Sequence, residues 1–246
     1  MFSNLAAASV PTTESDLLPI PIIKNKDTKK KKKENTKKDK DIRFIPAHKF
    51  TAAMQQQDDL NSNIALYQEA SGKFDATTMA KKFSGRFDIT HAPGHKATYG
   101  LAFSADKESK VQIFGGTNDN TGSIQSIFLG SGRTKGKEKK YVTIFNVYAP
   151  TAPTHTPANL VRYHAWLSEL VKEVHKAKAA GCAVYIIGDF NVAPDPTMDR
   201  NLTGKTATPN PAETLLWMQI TSSLQMADAF RARHPNTTAM THVKKR

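Results

Sequence analysis

The chain reads as an α/β domain, and three observations carry that reading. Within Ala183–Arg200 a β-branched apolar run, Val184, Ile186 and Ile187 with Tyr185 among them, stops at Gly188. It then delivers a carboxylate and a carboxamide two positions apart, Asp189 and Asn191. A second strand-like run, Tyr141–Pro150, is alternating and then continuously apolar and ends in Tyr148. Between the two lies one long amphipathic helix. Strand, crossover helix and strand form a βαβ unit, which sets Tyr148 and Asp189 at the same edge of a sheet. Packed α/β sheets place chemistry just outside such strand ends, where the backbone is fixed and loop side chains are free to converge.

Length and charge bound the rest. The chain has 246 residues and a formal net charge of +13. The first 41 residues hold ten lysines against six acids, so the remainder keeps a charge of +9. Two domains are read: a Lys-rich tail over 1–41, and one folded domain over 42–246 with length enough for a real core. A basic balance makes polyanions natural partners, although solubility alone also explains it. Cys182 is the single cysteine, which precludes an internal disulfide and suggests a small buried residue at a strand start. No unbroken apolar run approaches the ~20 residues a membrane span needs, so a soluble intracellular protein, nuclear or cytoplasmic, is expected.

The elements follow in order. Lys24–Lys40 is almost wholly polar and charged, with five consecutive lysines at Lys29–Lys33, and should be disordered. Such a cluster reads equally as a nuclear address, a phosphate-binding arm or a solvated tether. Ile42 opens a strand that Pro46 confines to an edge or an end. A helical stretch around Ala52–Leu60 precedes a short strand, Ile64–Tyr67, ending in Gln68-Glu69. Phe74–Phe87 is basic and partly helical in pattern. His91 and His95 lie four apart, but Pro93 and Gly94 between them argue for a loop rather than a helical metal pair. Strands are read at Tyr99–Ser104, Val111–Gly116 and Ser123–Gly130, then a basic turn at Ser131–Lys140.

Thr156-Pro157 supplies an N-cap and first-turn pair for the crossover helix. Leu160, His164, Leu167, Val171, Val174 and Ala177 recur at helical spacing, with Trp166 and Leu170 widening the stripe, until Gly181 ends it. That stripe is core. A further helix follows Pro211 with Leu215, Leu216, Met218 and Ile220. At the strand end, Asp189 can orient or deprotonate a water, and Asn191 can donate to a phosphate oxygen or position a metal-bound group. The plain alternative is an Asx-type turn closing a buried strand.

GDFN followed by a loop ending in Asp199-Arg200, and preceded by NVYAP and a long helix, resembles the endonuclease/exonuclease/phosphatase superfamily. Within it, the likeness is nearest to the apurinic-type endonuclease domain of non-LTR (LINE-type) retrotransposons. It spans about Ile42 to Val243 and is strongest from Tyr141 onward. The resemblance implies a four-layer α/β sandwich, two mixed β-sheets face to face with outer helices. It makes Glu69 of the Gln-Glu pair the ligand of a divalent cation, Mg²⁺ or Mn²⁺. It sets Tyr148 beside the scissile phosphate, and gives Asp199-Arg200 a local ion pair or DNA contact. Two motifs depart from the pattern. Ala47-His48 stands where a Trp-Asn pair is usual, and Met240-Thr241-His242 keeps only the threonine of a Tyr-Thr-aromatic motif. A final Ser-Asp-His motif does not follow Arg246, so an incomplete fold lacking its last strands is expected.

The function so implied is Mg²⁺-dependent phosphodiester hydrolysis of DNA, as in retrotransposon target-site nicking. Glu69 holds the metal, Asp189 directs the attacking water, and Asn191 and Tyr148 hold the phosphoryl oxygens. The alternatives are a catalytically inactive nucleic-acid-binding remnant and a phosphatase or phosphodiesterase of the same fold. DNA is the expected partner and a membrane is not.

Overall fold

A computed structural model describes residues 42–46, 57–59, 61–70, 81, 85–93, 100–109, 111–130, 141–151, 153–199 and 211–237, with backbone alone at 42–46 and 196–197. The expectations for the tail, for Ala47-His48, for the basic turn 131–140, for Arg200 and for Met240-Thr241-His242 lie outside these residues.

Two four-stranded sheets carry the structure. The first has the order β1 (Ile42–Pro46), β2 (Ile64–Gln68), β4 (Leu101–Asp106), β3 (Phe87–Ala92). Here β1 pairs parallel to β2, and the other neighbours are antiparallel. The second has the order β5 (Gln112–Asn118), β6 (Ile124–Gly130), β7 (Tyr141–Tyr148), β8 (Ala183–Asp189). It is antiparallel up to β7, and then β8 joins β7 in parallel. Both sheets are mixed, as the α/β sandwich predicted from sequence requires. His91 falls inside β3 rather than in a loop, and Pro93, which lacks a donor for the ladder, follows the strand's end.

The parallel β7–β8 pair demands a crossover, and α1 (Pro157–Ala179) is that helix. The Thr156 side chain accepts the Asn159 amide at 3.1 Å, and Pro157 occupies the first turn. At the other end the chain turns through Gly181 at φ +77°, a conformation that suits glycine, and the Gly181 and Cys182 amides close on the Lys178 and Ala177 carbonyls. Cys182 is half-buried against the core rather than enclosed. Three shorter helices follow later in the chain, α2 (Pro196–Asp199), α3 (Pro211–Leu224) and α4 (Ala229–Arg233), and residues 57–59 are helical as well.

Alternation along the strands makes two cores. Phe145 and Val147 of β7, with Val184 and Ile186 of β8, face α1 and α3 and pack on Tyr163, Trp166, Leu167, Leu170, Val174, Leu216, Ile220 and Leu224. Ile144 of β7 and Tyr185 and Ile187 of β8 point the other way, onto Ile64, Leu66 and Phe103 of the first sheet. The helical stripe is core, as its periodicity predicts. In α3, however, Leu215 and Met218 are exposed while Glu213 and Leu224 are buried, because the packed face is set by where α1 lies. Among the described residues no helix is long and apolar enough to cross a membrane.

Candidate active site

The parity that builds the second core also builds the site. In β7, Asn146 and Tyr148 follow Ile144 on the face toward the first sheet; in β8, Asp189 follows Ile187 on the same face. The register pairs Tyr148 with Asp189, and the Ala149 amide donates to the Asp189 carbonyl at 2.8 Å. From the opposite sheet, β2 ends at Gln68 and places Glu69 next. The Tyr148 hydroxyl donates to Glu69 Oε1 at 2.8 Å, across 79 positions of sequence. The structure therefore brings Glu69, Tyr148, Asp189 and Asn191 together from two sheets.

Both sheets reach the site through a strained step. Glu69 sits at φ +55° and Asn191 at φ +52°, in the left-handed region that non-glycine residues enter at a cost. At Asn191 the reason is visible. Its amide donates to Asp189 Oδ1 at 2.8 Å, and its Nδ2 donates to the Ala149 carbonyl at 2.7 Å, so the turn after β8 is an Asx-type turn stitched to the end of β7. The turn and the site are one structure: the bond that closes the loop also orients the Asp189 carboxylate, which is exposed.

Helix α1 supports this turn from below. The Tyr163 hydroxyl donates at 2.9 Å to the carbonyl of Phe190, between Asp189 and Asn191. Tyr163, Trp166, Phe190 and Trp217 form a run of edge-to-face rings with centroids 5.1–6.1 Å apart. Buried Glu213 accepts the Ala193 amide at 3.3 Å, fixing the far side of the turn to α3. Gly188 is required by close approach, since a Cβ there would lie 2.0 Å from the Val147 carbonyl oxygen. Beyond the turn, Asp199 forms a partly buried ion pair with Arg231 of α4. That partner lies 32 positions away in the sequence, and Arg200 itself is outside the described residues. Asp228 caps α4, the short helix that carries Arg231.

The electrostatics follow from this crowding. The Tyr148 phenol is pushed well above its ordinary range, first by burial, then by its bond to Glu69 and the charges of Glu69 and Asp189, with the Asn191 side chain opposing. It is a neutral donor at physiological pH. Burial likewise raises Tyr163, and the Asp189 charge adds to it.

The donors around Tyr148 suit a hard cation. Mg²⁺ keeps several waters and takes one or two carboxylates, and Mn²⁺ accepts the same oxygen ligands. Glu69 supplies one carboxylate, held by a hydrogen bond on Oε1, and the Asp189 carboxylate is near enough for its charge to act on the same phenol. Among the described residues no group of three or more His, Cys, Asp or Glu gathers as a closed cage. The residues present fit an open, water-rich site.

No protein-family model matches the sequence, and no curated protein matches it. Solved structures do match the fold. A 3′ phosphatase, NExo, from Neisseria, bound to a product DNA hairpin, superposes with a TM-score of 0.58 at 17% identity, over 80% of this chain and 74% of that one. The catalytic domain of Xenopus laevis APE2 gives 0.57 at 16% identity, over 78% and 70%. An AP endonuclease from Archaeoglobus fulgidus gives 0.57 at 17%, over 83% and 77%. The chain thus has the sandwich fold of the endonuclease/exonuclease/phosphatase proteins.

Proposed function

We propose that this protein is a metal-dependent phosphodiesterase acting on DNA, an endonuclease of the kind that nicks a retrotransposon target site. The observation that carries the reading is the Tyr148 phenol, bonded to Glu69 of one sheet and raised by the nearby charge of its register partner Asp189 in the other. Glu69 would hold Mg²⁺, which when bound would supply positive charge for the phosphoryl oxygens. Asp189, exposed and oriented through Oδ1 by the Asn191 amide, aligns the attacking water and takes its proton. Asn191, with one side-chain N–H on the Ala149 carbonyl and its side chain also bonded to the Tyr148 phenol, stands with Tyr148 where a phosphoryl oxygen is held. Tyr148 keeps Glu69 in place and remains protonated while negative charge develops.

The formal charge of +13 suits a polyanionic substrate. The Neisseria structure of the same fold was solved with a DNA hairpin, which supports DNA over a small phosphate ester. Nicking of supercoiled plasmid tests the reading. The purified chain should convert plasmid to the open circle with Mg²⁺, stop in EDTA, and lose the activity in Asp189→Ala. A folded protein that nicks no faster than Asp189→Ala would overturn it, and salt-sensitive DNA binding without turnover would then identify a binding protein.

A further inference from the structure

The space between the sheets changes character along its length. In the middle it is apolar, with Ile64, Leu66, Ile127, Leu129 and Ile144 facing one another. At the carboxyl end of β7 lie the exposed or half-buried site residues. Between the two is a layer of carboxamides: Gln68, Gln125 and Asn146, respectively 2%, 1% and 0% exposed. Three buried carboxamides are costly unless bonded, so their arrangement is informative.

Asn146 is the hub. Its Oδ1 accepts from Gln68 Nε2 of the opposite sheet. Its Nδ2 reaches the Tyr67 carbonyl at 3.2 Å, the Ala102 carbonyl at 3.1 Å and Gln125 Oε1 at 3.2 Å. Tyr67 and Ala102 are register partners on β2 and β4, and Gln125 is the register partner of Asn146 itself. One side chain therefore ties the β2–β4 ladder of the first sheet to the β6–β7 ladder of the second. Hydrophobic contact lets packed sheets slide with little penalty; directional bonds do not. The placement matters because Gln68 immediately precedes Glu69, and Asn146 lies two residues before Tyr148 on the same face.

We propose that Gln68, Asn146 and Gln125 are positioning residues that lock the register between the sheets so that Glu69 meets Tyr148. The layer touches neither substrate nor metal. Its link to rate rests on the function proposed above, whereas its link to geometry does not.

A triple replacement, Gln68→Leu, Asn146→Leu and Gln125→Leu, separates register from stability. Replacing the three carboxamides together removes every side-chain donor and acceptor of the layer at once and leaves only the Tyr67 and Ala102 carbonyls without the Asn146 donor, whereas removing one alone also strands its side-chain partners. The triple variant should melt close to wild type, yet its crystal structure should lose the 2.8 Å contact between Tyr148 and Glu69. Its kcat should fall about 10²-fold with KM little changed, the scale expected for an ångström of misplacement. A crystal structure with that contact intact, or a kcat restored along with the melting temperature, would overturn the proposal. Should the triple variant fail to fold, Gln68→Leu alone removes the bond nearest Glu69 and leaves the Asn146 donors in place. Loss of the Tyr148 contact in that crystal structure supports the proposal, and its retention overturns it. If wild type shows no turnover, the proposed function fails, and the crystallographic comparison still decides this one.

Discussion

The two halves of the site are held in different ways. On the second sheet, the turn from Asp189 to Ala193 is secured by Asn191 bonding to Asp189 and Ala149, Tyr163 to Phe190, and Glu213 to Ala193. Rings from α1 and α3 close around Phe190. On the first sheet, the Glu69 carboxylate has one bond among the described residues, from a tyrosine of the other sheet. The first half is redundant and built mostly within one βαβ unit. The second depends on the sheets meeting in register. Catalytic constellations need placement to within about half an ångström, so the two halves should fail differently when disturbed.

The largest effect tests the chemistry common to both. Asp189→Asn keeps the acceptor for the Asn191 amide but removes the base, and kcat should fall by about 10²- to 10⁴-fold with little change in melting temperature. Single-turnover cleavage measures it. Tyr148→Phe probes the weaker half: it strips Glu69 of its hydrogen bond, which charge assistance makes worth about 2 kcal/mol. The Mg²⁺ concentration for half-maximal rate should rise by roughly tenfold or more, because every 1.4 kcal/mol is tenfold; an unchanged metal dependence would show that Glu69 needs no partner. Tyr163→Phe probes the stronger half. It leaves the Phe190 carbonyl unpaired at a cost of about 1–2 kcal/mol, a fall of a few degrees in melting temperature. The remaining bonds should hold kcat within about threefold of wild type if redundancy is real. A large loss of kcat would erase the contrast.

The smallest effect comes from pH. Tyr67 of β2, Tyr148 of β7 and Tyr163 of α1 all have phenols raised above the ordinary value, burial being the first cause in each. A phenol that ionises at higher pH when folded than when unfolded contributes stability in full below the unfolded pKa, about 10. That contribution is lost as pH rises through the folded values. Denaturant midpoints should be level up to about pH 10 and fall above it. Tyr67→Phe should be less steep there than wild type.

The contrast also explains what could be read in advance. Thr156, Pro157 and Gly181 bounded α1 because caps are local chemistry, and the strand–helix–strand order placed Tyr148 beside Asp189 because a helical crossover between parallel strands has few solutions. Glu69 was found only by likeness to a motif; nothing near it in the chain indicates Tyr148. The contacts of Arg231 and of the carboxamide layer gave no signal in the sequence. A lone Asn in a strand or an Arg in a short helix reads as ordinary until its partner, 21 to 79 positions distant, is known.

By itself, then, the sequence determined the alternation of strand faces, the ends of the crossover helix and the polar turn after β8, since each is written in periods and caps a few residues long. The tertiary structure alone decided that Glu69 meets Tyr148, that Asp199 pairs with Arg231, and that Asn146 ties the sheets together. Those contacts join residues whose spacing in the chain carries no information about their spacing in space. They come into being only when two sheets, each stable in its own register, are packed face to face.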